Sequence, residues 1–251
     1  MRLVTFERRG HRRLGAVAGT RIVDLSGAVG HPAFPSTMEA LVARPRGTVL
    51  DAARASLDRY DVKEWMPRNP HVVAPILPPS LGADQHRWVV GPDAELPRPP
   101  GNGDVVFEPS IAAVVFSPNK KLKKREAAEC IFGYTLMTYW SRGDEFAASL
   151  GPWIVTADEF DPETELEVRV NGKLWAQGTL NDAEASFGET VWAAAKQAPL
   201  LSGDVFWSGV LGPRRKLAKA PRSGSVVELS AEGLGTLTNT VGPRVRRRAA
   251  S

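Results

Sequence analysis

The rhythm of apolar and polar positions changes near residue 75. Before it, Leu3-Val4-Thr5-Phe6 and Leu14-Gly15-Ala16-Val17 are short apolar runs around a basic turn, followed by Arg21-Ile22-Val23-Asp24-Leu25. These runs predict strands. Thr37 to Leu41 and Thr48 to Tyr60 then carry helical spacing, with Leu50, Ala53 and Leu57 on one face. Residues 1–75 therefore read as a small α+β N-terminal domain, closed by Pro75, Pro78 and Pro79.

Beyond the prolines the pattern is strand-rich. Ile111 to Phe116 is a continuous apolar run, as expected of a strand covered on both faces. Arg125 to Phe132 reads as a short helix and Gly133 to Trp140 as extended chain. Glu165 to Val170 alternates, and Asn171-Gly172 predicts a hairpin turn into Lys173-Leu174-Trp175-Ala176. Ala183 to Gln197 reads as a helix, and Val205 to Val210, Ser225 to Leu229 and Gly235 to Val241 as strands. Many strands with few helices predict an α+β chain whose residues 76–241 form a rolled-up β core, not a doubly wound sheet. Residues 242–251 read as a basic, disordered tail.

Composition removes several function classes. No apolar run approaches the roughly 20 residues that span a bilayer, and Met1 to Gly10 lack a signal-peptide core, so the expected location is the cytoplasm. Cys130 is the only cysteine, which rules out an internal disulfide and fits a reducing compartment. It sits among Ala127, Ala128 and Ile131 and reads as a small buried hydrophobe. The net charge of +4 collects in Arg8–Arg13, Lys120–Arg125, Arg214–Arg222 and Arg244–Arg248, without zinc spacing or an aromatic RNA-binding signature. Neither nucleic acid nor membrane is an expected partner.

Several segments, in order along the chain, resemble the fumarylacetoacetate hydrolase superfamily. Gly151-Pro152-Trp153-Ile154-Val155-Thr156-Ala157-Asp158-Glu159 is the clearest, followed by Asp161-Pro162 and Val170-Asn171-Gly172. Ile131-Phe132-Gly133-Tyr134-Thr135, Leu200 to Val205 and Gly233 to Val241 match three further signatures, and Met1 to Asp24 is similar to the family's N-terminal domain. The resemblance implies a mixed β-roll core, usually homodimeric, acting on 2-oxo or 1,3-dicarbonyl acids with Mg²⁺ or Mn²⁺.

At the positions that match the family's metal ligands this chain departs from the pattern. The resemblance implies two Glu at i and i+2 on one strand, which point to the same face, and an Asp on the next. Glu108 matches the first, but the other positions hold Ser110 and Tyr139. One carboxylate holds Mg²⁺ weakly, because the ion keeps most of its water. No metal and no other cofactor is therefore expected. About thirty residues of the family's histidine-bearing lid are missing between Leu81 and Arg87, with His86 at the junction. The family's substrate-contacting Arg and Gln positions are Gly143 and Phe146, and a carboxylate-binding Thr position is Val210.

These exchanges share a direction, from ion-binding groups to aromatic and aliphatic ones. They predict a large, uncharged, hydrophobic small-molecule substrate. The expected catalytic residues are Glu108, as general acid or base, and Tyr139, as hydrogen-bond donor to a carbonyl or enolate oxygen. Ser110, Trp140, Arg142, Phe146, Trp207 and Val210 are the expected substrate contacts, although strand alternation leaves open where Trp140 and Trp207 point. Arg142 and Asp144 also read as a structural ion pair. The leading functional expectation is a metal-independent cyclase, isomerase or lyase on a polyketide-like carbonyl metabolite in biosynthesis. A non-catalytic binding or scaffold protein is a second. A conventional metal-dependent C–C hydrolase or decarboxylase is a third, which requires Asp144 or Glu145 to reach the site.

Overall fold

The structure, a computed structural model, describes every residue except 45, 60, 61, 82, 100–104, 119, 120, 144, 210–219 and 245–251. The chain opens with β1 (Arg2–Arg8), β2 (His11–Ala18) and β3 (Arg21–Asp24), then α1 (Leu25–Val29), α2 (Met38–Val42) and α3 (Arg46–Leu57). Next come β4 (His71–Val73), the one-turn α4 (Ala83–His86), β5 (Val89–Val90), β6 (Glu95–Arg98), β7 (Val106–Val115), β8 (Ile131–Arg142) and β9 (Glu145–Thr156). The remainder is β10 (Leu166–Val170), β11 (Lys173–Gly178), α5 (Phe187–Gln197), β12 (Val205–Trp207), β13 (Val226–Ala231) and β14 (Gly235–Arg244). No helix among the described residues is long and apolar enough to cross a membrane.

The described strands form two sheets. The larger runs β12-β7-β8-β9-β1-β2-β3, with β4 on β1 and β5 on β9, and the smaller runs β11-β10-β13-β14-β6. This is the mixed α+β roll expected. Because β1 pairs with β9 (Leu3 opposite Ile154), the N-terminal unit shares its sheet with the core. The long strands β7, β8 and β9 form the middle of the roll. One of their faces packs Phe107, Ile111, Leu136, Trp140 and Ala147 against the smaller sheet, where Leu166, Val168 and Leu237 receive them. A second apolar cluster seats Leu25, Met38, Leu41, Leu50 and Ala53 of the N-terminal helices on Leu3, Leu14 and Ile154.

Local chemistry explains most of the elements. Asn171 and Gly172 both have positive φ, 50° and 74°, which a two-residue hairpin with right-handed strand twist requires. Gly133 keeps β8 close to β9, since a Cβ there would lie 2.3 Å from the Val155 carbonyl oxygen. Asp24 caps α1 and receives Arg13 through both carboxylate oxygens, at 2.6 and 3.0 Å. Arg12 reaches the Ala74 carbonyl, so part of the first basic cluster serves the fold.

Three expected elements have different bounds. The segment before β8 is a 3₁₀ turn over Lys124–Cys130, because Ile131 and Phe132 are buried as the first residues of the strand. α5 begins at Phe187 rather than Ala183, where Ser186 and Glu189 form a reciprocal capping box. β14 runs on to Arg244, beyond the expected start of the tail at 242. Cys130 is buried, as read from its neighbours.

Asn239, in the segment matching the family's closing signature, joins the layers. It is 1% exposed, donates to the Gly91 and Ala94 carbonyls at 2.9 and 3.0 Å, and accepts from Ser149 Oγ at 2.6 Å. Asn239→Ala leaves two carbonyls and a hydroxyl without these partners, at about 1–3 kcal/mol for each buried group left unsatisfied. Urea denaturation is expected to show a loss of about 3 kcal/mol. A loss within about 0.5 kcal/mol, the range of ordinary surface changes, would show that the cross-link is not structural.

Candidate active site

The site follows from strand alternation on β7, β8, β9 and β12. Glu108 lies directly opposite Tyr139, and Ser110 opposite Met137. Tyr139 in turn lies opposite Ala148, and Met137 opposite Leu150. Successive side chains point to opposite faces, so these residues share the face that does not pack on the smaller sheet. Trp207 joins them from β12, opposite Ala112.

On this face lies a cavity of about 200 Å³. Its described walls are Pro78, Ser80, Leu81, Val89, Met137, Tyr139, Phe146, Ala148, Leu150, Val205 and Trp207, with no charged side chain among them. Tyr139 is the middle of a ring stack, 4.6 Å from Trp207 and 6.0 Å from Phe146, with interplanar angles of 24° and 16°. Burial, and then the negative charge of Glu108, push the Tyr139 phenol above its usual value. Its hydroxyl therefore keeps its proton through neutral pH and is available as a donor. Glu108 is half-buried; it lies across from Tyr139 but is not itself among the described cavity walls.

The structure separates the expected substrate contacts. Phe146 and Trp207 line the cavity. Trp140 does not: it is fully buried on the other face of β8, 4.7 Å from Phe107, as part of the core between the sheets. Arg142, two residues further on the same face, is also corrected; it is 6% exposed and donates to the Pro99 carbonyl at 3.0 Å. Ser110 is on the cavity side, but it is buried and donates to the Gly209 carbonyl at 2.8 Å. Val210 and Asp144 lie outside the described residues. His86 faces the Pro78 carbonyl at 3.0 Å and is not among the described cavity walls.

Sequence reasoning missed Met137, Ala148, Leu150 and Val205. The signal was present, since each is two or four residues from Tyr139, Phe146 or Trp207 along a strand. Leu81 and Val89 come from the shortened lid region, where no periodicity marks them.

The donor set does not fit a hard divalent cation. Mg²⁺ sites of this kind use carboxylates, whereas among the described residues a single carboxylate, Glu108, stands at these positions with a phenol held neutral and a hydroxyl turned to a backbone carbonyl. Glu145 is opposite Arg142 in the β8–β9 pairing, on the face away from the cavity. Among the described residues no group of three His, Cys, Asp or Glu is arranged to hold a metal ion.

The raised tyrosine has a measurable consequence. Tyr134 is pushed up as well, by burial. An acid whose folded value is raised stabilises the fold below its unfolded value, about 10 for tyrosine, and loses that contribution as pH climbs through the folded value. Ultraviolet titration is expected to show Tyr139 ionising above about pH 10, and Glu108→Gln to lower that midpoint by removing the neighbouring charge. An unchanged midpoint in the variant would exclude the electrostatic contact.

Residues 60–242 match the family model for the fumarylacetoacetate (FAA) hydrolase C-terminal domain, and the chain belongs to the fumarylacetoacetate hydrolase family. Oxaloacetate tautomerase YisK of Bacillus subtilis (strain 168) is 25% identical over 198 residues, covering 62% of this chain and 66% of that protein. The 2,4-didehydro-3-deoxy-L-rhamnonate hydrolase of Sphingomonas sp. (strain SKA58) is 27% identical over 275 residues, covering 94% of each chain. Among solved structures, maleylpyruvate hydrolase from Sphingobium sp. SYK-6, in complex with manganese(II) ion and pyruvate, superimposes with a TM-score of 0.76 at 20% identity. That match covers 98% of this chain and 100% of the other, and it shows the shared fold.

Proposed function

We propose that this chain is a metal-independent isomerase of the keto–enol or double-bond-shift type, acting on an enolisable carbonyl compound with an apolar substituent. The observation that carries this reading is the cross-strand pairing of Glu108 with Tyr139, a cavity wall. The Glu108 carboxylate takes a proton from the carbon next to the carbonyl, leaving that C–H bond's electron pair in the enolate. The Tyr139 hydroxyl hydrogen-bonds the oxygen on which negative charge develops. Return of the proton to oxygen, or to a different carbon, completes a tautomerisation or a double-bond shift with no co-reactant.

Isomerisation is favoured over hydrolysis because it needs one base and one donor, both present. Hydrolysis also needs a second group to activate a water, and beyond the Glu108 carboxylate across from Tyr139 the described cavity walls supply no histidine or carboxylate for it. The relatives' names, tautomerase and hydrolase, fit enolate chemistry in general. A cavity of about 200 Å³ is below the roughly 300–1,000 Å³ of drug-sized ligand pockets, which argues for a compact substrate and against a polyketide-like one. The reading also takes the protein to be cytoplasmic and homodimeric, on the buried lone cysteine and the family habit respectively.

Proton exchange tests it. In D₂O at neutral pH, the protein is expected to accelerate deuterium incorporation next to the carbonyl of phenylpyruvate, followed by NMR. Incorporation at the buffer rate for phenylpyruvate, oxaloacetate and related 2-oxo acids would overturn the proposal.

A further inference from the structure

Resting on that reading of the same cavity, we infer that its substrate carries a single uncharged, ring-sized group, most simply a phenyl, next to the enolisable carbonyl. Size, polarity and shape each point to it. Apolar cavities of roughly 150 Å³ in other proteins take up benzene, and this one has about 200 Å³. One aromatic ring fits this space.

Polarity excludes the charged alternatives. The described walls offer Met137, Leu81, Val89, Ala148, Leu150 and Val205, with no cation to receive a second carboxylate. Placing an ionised carboxylate there without a partner is strongly unfavourable. The polar end of the substrate therefore belongs outside the apolar part, beside Tyr139 and Glu108, which face each other across β7 and β8.

Shape favours a flat group over a branched aliphatic one. Phe146, Tyr139 and Trp207 form a nearly parallel series. Aromatic rings gain about 0.5–1.5 kcal/mol beyond area burial in offset or edge-to-face contacts with other rings. A ligand phenyl extends this series. The phenyl then stacks on an end of the series, and Tyr139, whose ring lies between Trp207 and Phe146, offers the substrate its hydroxyl at the carbonyl oxygen.

The test uses benzene itself, which has no reactive group. Wild-type protein is expected to give a saturation-transfer NMR signal with benzene and a raised thermal midpoint, by preferential binding to the folded state. Leu81→Trp, in the loop wall, and Ala148→Leu, in the strand wall, fill the cavity from two sides and are expected to abolish both effects. Two variants are needed because Ala148 is nearly fully buried and its enlargement strains the sheet. No signal with wild type, an undiminished signal in both folded variants, or equal protection by succinate would each overturn the inference. Benzene binding without proton exchange on any 2-oxo acid would leave the ring pocket standing and remove the isomerase reading. Exchange on oxaloacetate without benzene binding would do the reverse.

Discussion

Glu108→Gln is expected to reduce isomerisation by roughly 10²–10⁴-fold, the usual contribution of one general acid–base group. Glutamine keeps the shape of the side chain but cannot accept the substrate proton. The loss should fall on kcat, with KM little changed, because the apolar walls that hold the substrate are untouched. Tyr139→Phe should reduce kcat less, since the ring stack with Trp207 and Phe146 survives and only the hydrogen bond to the developing oxyanion is lost. Steady-state kinetics on both variants checks the assignment. Equal kcat for Glu108→Gln and wild type would remove Glu108 from the mechanism.

The second large effect is on metal binding. Tyr139→Asp places a carboxylate directly across from Glu108, and adding Ser110→Glu supplies a further one two positions along β7, on the same face. The double variant is expected to bind Mn²⁺ that the wild type does not, and to be less stable without it, since the new charges repel in a half-buried site. Saturating Mn²⁺, at about 100 times Kd, should restore about 2.7 kcal/mol, visible in the thermal midpoint. The single Tyr139→Asp variant covers the case in which buried Ser110 does not accept a longer side chain, and should show a weaker effect. If neither variant gains Mn²⁺ affinity, the three positions do not form the face described above.

Much of the fold was legible because its signatures have local physical causes. Asn171-Gly172 announces its turn through two positive φ angles, Gly133 marks a close approach of strands, and Asn239 satisfies the Gly91 and Ala94 carbonyls. The end of β14 was not legible. Pro243 falls where the pairing with β6 shifts register between Val241 and Arg244, an irregularity of the kind at which strands accommodate proline. The helix start at Phe187 was legible in Ser186 and Glu189 but was obscured by the 3₁₀ turn at Leu180–Asp182 just before it.

The candidate site was partly legible. Family spacing located Glu108, Ser110 and Tyr139, and the structure puts all three on one face of adjacent strands. Period-two alternation alone gives relative faces, so anchoring on Tyr139 was needed to send Trp140 and Arg142 into the interior and bring Met137 to the cavity. Leu81 and Val89 depend on how a shortened connection folds back over the sheet, and no pattern in those residues specifies that.

Enolate chemistry from Glu108 and Tyr139 without a metal is tested most directly by chelation. The measurement is the rate of phenylpyruvate tautomerisation by protein treated exhaustively with EDTA, before and after addition of Mn²⁺ or Mg²⁺. The predicted result is catalysis above the buffer rate in the chelated protein, insensitive to either ion and lost in Glu108→Gln. Catalysis that vanishes on chelation and returns with Mn²⁺ would contradict it.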